Sequence, residues 1–187
     1  MVRYQMNWHY KKNVGFLIRD YNKLFPLPYY FHDIFYGKGS FKIADLGSGP
    51  VCTLGGKKAG NSITIYASDI NAKEYNELTK GHELLIPIEY QDMENLTYPD
   101  EMFDVVHCVN ALDHTKDVRK ALSEMKRVCK KGGLIYLRHA PNQKNFLRGD
   151  HQWNVTMEGF DNGELVKLDG FKTGSDGFMI ISIMYKQ

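Results

Sequence analysis

Strand-like and helix-like patterns alternate along the chain from residue 41 onward, and this alternation limits the fold more than any other feature of the sequence. Short apolar or β-branched runs predict seven strands, and segments with apolar residues at helical spacing lie between several of them. Strands joined through helices form mostly parallel sheets, because each crossover places a helix on a face of the sheet. The sequence therefore predicts an α/β fold with a doubly wound, mostly parallel, seven-stranded sheet.

The last two predicted strands depart from this alternation. A glycine-rich turn around Gly174 and Gly177 lies between them, so we expect an antiparallel pair that closes the sheet, with the long apolar last strand in its interior. Two helices precede this pair, one capped by Asn71 and one capped by Asp117 and ended by Gly132-Gly133. The predicted strands are Phe41–Leu46, Ser62–Ala67, Ile86–Tyr90, Phe103–Val109, Leu134–Leu137, Glu164–Leu168 and Phe178–Tyr185.

The first 40 residues differ from the rest because they hold 11 of the 24 aromatic residues. Val14, Ile18 and Tyr21 share one helical face, which predicts an N-terminal helical and aromatic cap packed on the sheet edge. The alternative is a lid over a ligand crevice, in which Tyr29 and Tyr30 would contact the substrate. We expect one domain over residues 1–187, with a cap segment at 1–40 and the core at 41–187.

Composition excludes some classes of protein. The 187 residues carry 24 basic and 22 acidic side chains, a net charge of +2, so no broad basic field favours nucleic-acid binding. No apolar run approaches the length of a membrane span, and the first residues lack the apolar core of a signal peptide. Three cysteines share no metal-ligand spacing. We therefore expect a cytoplasmic protein with reduced thiols and no membrane partner.

Acidic residues follow three consecutive predicted strands. Asp45 ends the first strand and leads into Gly47-Ser48-Gly49, where two glycines let the backbone approach a bulky ligand. Asp69 lies 22 residues after Gly47, where a carboxylate can accept both hydrogen bonds of a ribose diol. Asp92 ends the third strand, where it could meet an adenine amino group. This pattern indicates an adenosine-bearing ligand, although an alternative role for Asp45 is capping of a loop.

The glycine turn does not match two common nucleotide motifs. A dinucleotide motif needs a third glycine where this chain has Cys52, and a P-loop needs a glycine where it has Val51. The sequence instead resembles class I S-adenosylmethionine-dependent methyltransferases over roughly residues 41–140. The matching segments are 45–49, 68–70, 91–93, 103–106 and 127–133. The resemblance implies a Rossmann-like fold with S-adenosyl-L-methionine as cofactor and S-adenosyl-L-homocysteine as product.

The resemblance also implies a role for each matching residue. Asp45, Gly47 and Gly49, with Ser48 between them, would line the methionine part of the cofactor. Asp69 would bind the ribose, Asp92 the adenine amino group, and Ile70 and Met93 the two faces of the adenine. Asn110 and Ala111, just after the fourth strand, would lie near the sulfonium. The chain departs from the family pattern at Val51, which stands at a usual glycine position after Pro50.

A more particular likeness concerns the segments after the fourth and fifth strands. Asn110-Ala111-Leu112-Asp113-His114, then His139 with Asn142, and then His151-Gln152-Trp153-Asn154 are similar to a bacterial subgroup of these enzymes. Gln143 departs from that subgroup, which often has an acidic residue there. Its links to surface polysaccharides and secondary metabolites point to a small-molecule acceptor such as a sugar.

Methyl transfer to a hydroxyl needs a group that takes the proton, and histidine is suited to this near neutral pH. His139 and His151 are the first candidates for catalysis, followed by Asp113 with His114. For each histidine the alternative is a hydrogen-bonded structural role. Trp153 and Asn142 are candidates for substrate contact, and the alternative for Trp153 is to anchor its loop.

The remaining expectations concern metals, acceptor atom and partners. A metal site at Asp113, His139 and Asn142 is conceivable, but we expect no metal. The signature of enzymes that methylate amino groups of bases and glutamine is absent at residues 109–112, which favours oxygen over nitrogen. Two alternatives remain: a cofactor-binding but catalytically silent subunit that needs a partner, and, less favoured by the charge balance, an RNA methyltransferase. The sequence is compatible with a homodimer.

Overall fold

The computed structural model describes residues 8–23, 27, 31, 39–54, 62–146 and 151–187. The chain divides into two compact units, residues 1–91 and residues 92–187. Strands of the seven-stranded sheet follow the order β3-β2-β1-β4-β5-β10-β9, numbered along the chain. This mostly parallel sheet with a C-terminal antiparallel pair confirms the predicted fold class. Tyr29 and Tyr30 lie outside the described residues.

The described part of the first unit contains two helices and three parallel strands. Its elements are α1 (Trp8–Tyr21), β1 (Ser40–Leu46), β2 (Ser62–Asp69), α2 (Ala72–Leu78) and β3 (Ile88–Tyr90). The register of β1 and β2 runs from Ser40 opposite Ser62 to Leu46 opposite Ser68. Four consecutive residues, from Ile43 to Leu46, are buried, which is typical of a parallel strand covered on both faces.

The end of α1 is held by one asparagine. The side chain of Asn22 donates to the Glu83 carbonyl at 2.9 Å and accepts from the Leu85 N–H at 2.8 Å. The helix therefore attaches to the segment that leads into β3, an edge strand of the sheet. The cap segment expected over residues 1–40 stays a prediction.

Within the described residues of the second unit lie the other seven strands and two helices. Its elements are β4 (Phe103–Val109), a 3-10 turn (Leu112–His114), α3 (Val118–Val128), β5 (Cys129–His139), α4 (Gln143–Phe146), β6 (Asn154–Val155), β7 (Gly159–Asp161), β8 (Leu165–Lys167), β9 (Lys172–Ser175) and β10 (Ile180–Tyr185). β4 and β5 are parallel, so Val109 and His139 end at the same edge. Strands β6, β7 and β8 form a separate antiparallel sheet.

Helix α3 begins as its cap predicts and ends earlier than its glycines predict. The Asp117 carboxylate accepts from the N–H groups of Arg119 and Lys120, at 3.0 and 3.3 Å. The helix ends at Val128, and Gly132 and Gly133 lie inside β5, at a register shift opposite β4. A Cβ at Gly133 would meet Cys129 Sγ at 2.8 Å, so these glycines permit a bulge rather than end a helix.

The predicted C-terminal antiparallel pair is present, but the prediction of Glu164–Leu168 as one of its two strands is wrong. β10 lies between β5 and β9, so its partner is Lys172–Ser175, and Gly174 lies within a strand. Residues Leu165–Lys167 pair with β7 in the separate sheet instead. The sequence missed β9 because an exposed edge strand of Lys, Thr, Gly and Ser has no apolar alternation. Among the described helices, none is long and apolar enough to cross a membrane.

Candidate active site

In the first unit, a glycine loop joins the ends of β1 and β2. Gly47 and Gly49 have φ angles of 72° and 70°, a left-handed conformation that glycine adopts without strain. The N–H groups of Gly47 and Ser48 both donate to the Ser68 carbonyl, at 2.8 and 3.0 Å. The loop is therefore fixed by main-chain contacts to the strand that carries Asp69.

The Asp69 carboxylate is held by backbone donors on both oxygens. Its Oδ2 accepts from the Gly49 N–H at 3.1 Å, and its Oδ1 accepts from the Asn71 N–H at 2.8 Å. The residue is partly exposed, as is Ile70 next to it. A carboxylate fixed in this way and open to solvent fits the role of a ribose acceptor.

Asp45 is buried at the end of β1, unlike Asp69. Its Oδ2 lies 3.2 Å from the Cys52 Sγ, which donates to it. The chain after Gly49 therefore turns back toward Asp45, and residues 50–54 contain no helix. The chain therefore has no helix directly after the loop, at the place where Val51 replaces the glycine usual in the family.

In the second unit, Asp92 and Met93 lie in a tight turn. The Asp92 side chain accepts from the Glu94 N–H at 2.9 Å, and its carbonyl accepts from the Asn95 N–H at 2.9 Å. Met93 Sδ lies 4.0 Å from Cys108 Sγ on β4. Both Asp92 and Met93 are partly exposed, as their predicted contacts with an adenine require.

Two asparagines with positive φ follow β4 and β5. Asn110 has φ 49°, and its Oδ1 accepts from the Ala140 N–H at 2.9 Å. Asn142 has φ 55°, and its N–H donates to the Val155 carbonyl at 3.2 Å. Non-glycine residues in this conformation concentrate at functional sites. Ala111, which follows Asn110, is buried.

Three side chains meet beside these strand ends, and we name Asp113, His114 and His151 the Asp113 cluster. The His151 Nδ1 lies 2.6 Å from the Asp113 Oδ2. The His114 Nε2 lies 4.0 Å from the Asp113 Oδ1. The rings of His114 and His151 are 4.3 Å apart, tilted by 35°. The structure thus brings a distant histidine to a carboxylate that the sequence paired only with its neighbour.

Main-chain contacts hold the two segments of the Asp113 cluster together. The N–H groups of Gln152 and Trp153 both donate to the Asp113 carbonyl, at 2.8 and 3.1 Å. The indole Nε1 of Trp153 donates to the Thr115 carbonyl at 2.7 Å. Trp153 is 3% exposed, so its contacts fit the anchoring alternative better than a substrate wall.

His139 lies at the end of β5 and is fully enclosed. Its Nε2 accepts from the Leu112 N–H at 3.2 Å, and its ring packs edge-on against Phe160 at 5.5 Å. Burial lowers the pKa of His139 to about 4, against the opposing influence of Asp113. A neutral, buried imidazole that already accepts a main-chain hydrogen bond fits the structural alternative for this residue.

Asp113 is ionised although it is buried. Burial alone raises the pKa of this carboxyl, but the hydrogen bond from His151 and the electrostatic influence of the surrounding imidazoles outweigh it, so the pKa lies below its usual value. Because a carboxylate only accepts hydrogen bonds, the His151 Nδ1 carries the hydrogen. The Nε2 of this partly exposed ring is then its second nitrogen for other contacts.

Comparisons with known proteins find related sequences. The family model described as "Methyltransferase domain" matches residues 44–137. A ubiquinone/menaquinone biosynthesis C-methyltransferase of Bordetella avium is 35% identical over 100 residues, 50% of this chain and 39% of that protein. Another of Chromobacterium violaceum is 30% identical over 104 residues, 51% of this chain and 41% of that protein. The chain thus spans about two fifths of these curated relatives.

Two solved structures have a similar fold. A protein of Methanococcus maripaludis, assigned as an S-adenosyl-L-methionine-dependent methyltransferase, has a TM-score of 0.62 and 17% identity, covering 100% of this chain and 96% of its own. A chain from a complex between the Haloferax volcanii Trm112 methyltransferase activator and a methyltransferase has a TM-score of 0.57 and 13% identity, covering 100% of both chains. At these identities the likeness concerns the fold.

Proposed function

Because the chain belongs to the methyltransferase domain family, we propose that it transfers a methyl group to a hydroxyl oxygen of a small-molecule acceptor, such as a sugar or related metabolite. Family and fold imply S-adenosyl-L-methionine as the cofactor. The cofactor supplies a methyl group that its sulfonium already activates, so the protein mainly aligns the acceptor and excludes water.

The first unit fits the predicted cofactor contacts. The loop with Gly47, Ser48 and Gly49 has the left-handed glycines that a close ligand approach requires, and Asp69 presents a fixed, partly exposed carboxylate. Asp45 and Ile70 complete the contacts proposed there. In the second unit, the proposed contacts are the partly exposed Asp92 and Met93 for the adenine, and Asn110 and Ala111 for the sulfonium.

The observation that carries the proposed acceptor chemistry is the 2.6 Å contact between Asp113 and His151. A hydroxyl must lose its proton during transfer, and a carboxylate beside a partly exposed imidazole is an arrangement that can activate it. We place the acceptor oxygen against the Asp113 cluster, with Asn142 as a further acceptor contact. Tyr29 and Tyr30 stay predictions for substrate contact.

Transfer to a carbon atom is a second candidate, because the relatives named above are C-methyltransferases. The acceptor would then be an electron-rich ring rather than a sugar. Mass spectrometry and NMR of the methylated product separate the two, since an O-methyl and a C-methyl group have different carbon shifts.

The test is formation of S-adenosylhomocysteine over a panel of sugars, phenols and quinols. We expect turnover with at least one hydroxyl acceptor, and at least a 100-fold loss in His151→Ala. His82→Ala, which removes an exposed histidine of the first unit, serves as the matched control and keeps full activity. Equal activity in His151→Ala and the parent would contradict the acceptor assignment.

A catalytically silent subunit that needs a partner stays the alternative prediction. The Haloferax volcanii methyltransferase with a similar fold is known in a complex with an activator. Tight cofactor binding without turnover on any acceptor would favour this alternative over the proposed enzyme.

A further inference from the structure

We propose that the Asp113 cluster binds one divalent transition-metal ion, and that this ion holds and activates the acceptor oxygen. The first part, the metal site, needs neither cofactor nor acceptor. The second part rests on the proposed function, because it assigns the way in which the same site activates a hydroxyl.

The geometry of the three side chains suits a shared ion. One ligand atom from each of Asp113, His114 and His151 lies within 4.8 Å of the others. Two of the separations are 2.6 Å from His151 Nδ1 to Asp113 Oδ2 and 4.0 Å from His114 Nε2 to Asp113 Oδ1. The ion would take the place of the hydrogen between His151 Nδ1 and Asp113, and the ring would then carry its hydrogen on Nε2. Ligand atoms about 2.0–2.2 Å from one ion are roughly 3 to 3.5 Å apart, so changes of up to about 1.3 Å in these separations complete the site.

The carboxylate of Asp113 provides an independent reason. The residue is 2% exposed, and its Oδ1 is buried without a hydrogen-bond partner among the residues that the structure describes. Burial of an ionised oxygen without a donor is costly. The two imidazoles nearest this carboxylate, of His151 at 2.6 Å and His114 at 4.0 Å, are not permanent cations as lysine or arginine is. A divalent ion would supply the missing positive partner.

The donor set selects the kind of metal. Two imidazole nitrogens and one carboxylate oxygen suit zinc, cobalt, nickel or iron, whereas magnesium and calcium prefer oxygen ligands. Three protein ligands also leave at least one coordination position for an acceptor oxygen. His139, a member of the set considered from the sequence, is excluded because its Nε2 accepts from the Leu112 N–H.

The backbone around the cluster holds the ligands in place before any ion binds. Asp113 and His114 lie on the 3-10 turn, and His151 lies on a segment tied to that turn by the N–H groups of Gln152 and Trp153. The buried indole of Trp153 adds a third bond, to the Thr115 carbonyl. Such outer contacts reduce the freedom that the ligands lose on binding.

The chemistry that follows is balanced without a further reactant. The acceptor hydroxyl oxygen coordinates the ion. This lowers the pKa of the hydroxyl, and the hydroxyl proton passes to solvent. The oxygen then forms a bond to the sulfonium methyl carbon, while the carbon–sulfur bond breaks with its electron pair going to sulfur. The products are the methyl ether and neutral S-adenosylhomocysteine. His151 acts here as a ligand.

The test is a titration of chelator-treated protein with Co²⁺, Zn²⁺ and Mg²⁺, each alone, by calorimetry and, for Co²⁺, by visible absorption. We expect one Co²⁺ or Zn²⁺ per chain, with Mg²⁺ at least tenfold weaker. His114→Ala and His151→Ala should each weaken Co²⁺ binding at least tenfold, while His82→Ala leaves it unchanged. Circular dichroism checks that each variant is folded.

Two results would overturn the inference. One is the absence of stoichiometric Co²⁺ and Zn²⁺ binding by the folded parent; the other is binding that His114→Ala and His151→Ala leave unchanged, which places the ion elsewhere. Turnover that persists in excess chelator would overturn the activating role while leaving the proposed methyl transfer in place. Metal binding by a protein that binds no S-adenosylmethionine would instead reject the proposed function and keep the metal site.

Discussion

Two carboxylates, one in each unit, follow strands of the sheet and are held in opposite ways. Asp69 accepts backbone N–H groups on both oxygens, from Gly49 and Asn71. Asp113 has an imidazole on one oxygen, and its other oxygen is buried without a donor in the described chain. A main-chain cradle suits a ligand bound through hydrogen bonds, whereas a side-chain cluster suits a proton or a metal ion.

The two carboxylates also differ in how their charges are solvated. Asp69 is partly exposed, so its charge remains solvated and its two backbone bonds mainly fix its orientation. Asp113 is removed from water, so its charge depends on the imidazoles around it. Changes at the first carboxylate should therefore alter cofactor affinity, and changes at the second should alter the chemical step.

The largest expected effect is that of Asp113→Asn on turnover. An amide neither holds a metal ion as a carboxylate does nor accepts the His151 hydrogen as strongly, so we expect the rate at saturating cofactor to fall at least about 100-fold. Steady-state kinetics measure this. Asp161→Asn, at a turn in the same unit, is the control and keeps the parent rate. If Asp113→Asn instead raised the KM for the cofactor and left kcat unchanged, Asp113 would contribute to cofactor binding, as is expected of Asp69. The distinction between the two carboxylates would then be wrong.

A second prediction concerns pH and the stability of the protein. His139 has a folded pKa of about 4, below its usual value, because burial opposes its charge and outweighs Asp113, while His114 and His107 act with burial. The unfolded chain therefore binds more protons between about pH 6.5 and pH 4, so the free energy of unfolding falls as pH falls through that range. The expected loss by pH 5 is on the order of 2 kcal/mol.

Urea unfolding between pH 7.5 and pH 5 measures this loss, and His139→Gln, which does not titrate, should reduce the slope. The lowered pKa of Asp113 acts in a more acidic range, since its contribution is lost only as pH falls below the usual carboxyl value. Equal pH slopes for the parent and His139→Gln would show that burial of this histidine does not govern the dependence.

A third prediction uses two glycines with the same backbone conformation. Gly49 and Gly132 have φ angles of 70° and 72°, so alanine at either position should cost about 1–2 kcal/mol of stability. Only Gly49 donates to Asp69, so only Gly49→Ala should also weaken cofactor binding, by about tenfold. Gly132→Ala is a clean control, because an added Cβ there meets nothing within 4 Å. Equal cofactor affinity in Gly49→Ala and Gly132→Ala would contradict the proposal that the glycine loop contacts the cofactor.

The smallest expected effect is that of Trp153→Phe. The change keeps most of the buried ring and removes the bond to the Thr115 carbonyl, so we expect the free energy of unfolding to fall by about 1–2 kcal/mol. Tyr185→Phe, at an exposed position of β10, should change it by less than about 0.5 kcal/mol. Thermal unfolding compares the two. A loss of turnover in Trp153→Phe without a loss of stability would favour substrate contact over anchoring.

Much of the fold follows from local sequence patterns. The apolar run of β4 and the face of α3 with its Asp117 cap are local signals, and both elements form where these patterns predict. Strand β9 and the bulge at Gly132 depend on partners distant in sequence, so no local pattern reports them. Gly132-Gly133 in particular satisfies the rule for a helix end, but the strand partner determines its conformation.

The candidate site also has one part that a local pattern predicts and one part that it does not. The glycines and Asp69 follow a fixed spacing because one loop joins them, and a short pattern can report it. The pairing of Asp113 with His151 spans 38 residues and arises from main-chain bonds of residues 152 and 153 to Asp113. The sequence suggested His114 as the partner because the two residues are adjacent, and only the folded segment brings His151 closer.

The most direct test of the central claim is calorimetric titration of the parent, Asp69→Ala and Asp113→Asn with S-adenosylhomocysteine. We expect saturable binding by the parent, at least tenfold weaker binding by Asp69→Ala, and parent-like binding by Asp113→Asn. Absence of binding by a folded parent, or equal affinity in the parent and Asp69→Ala, would contradict the assignment of the first unit to the cofactor.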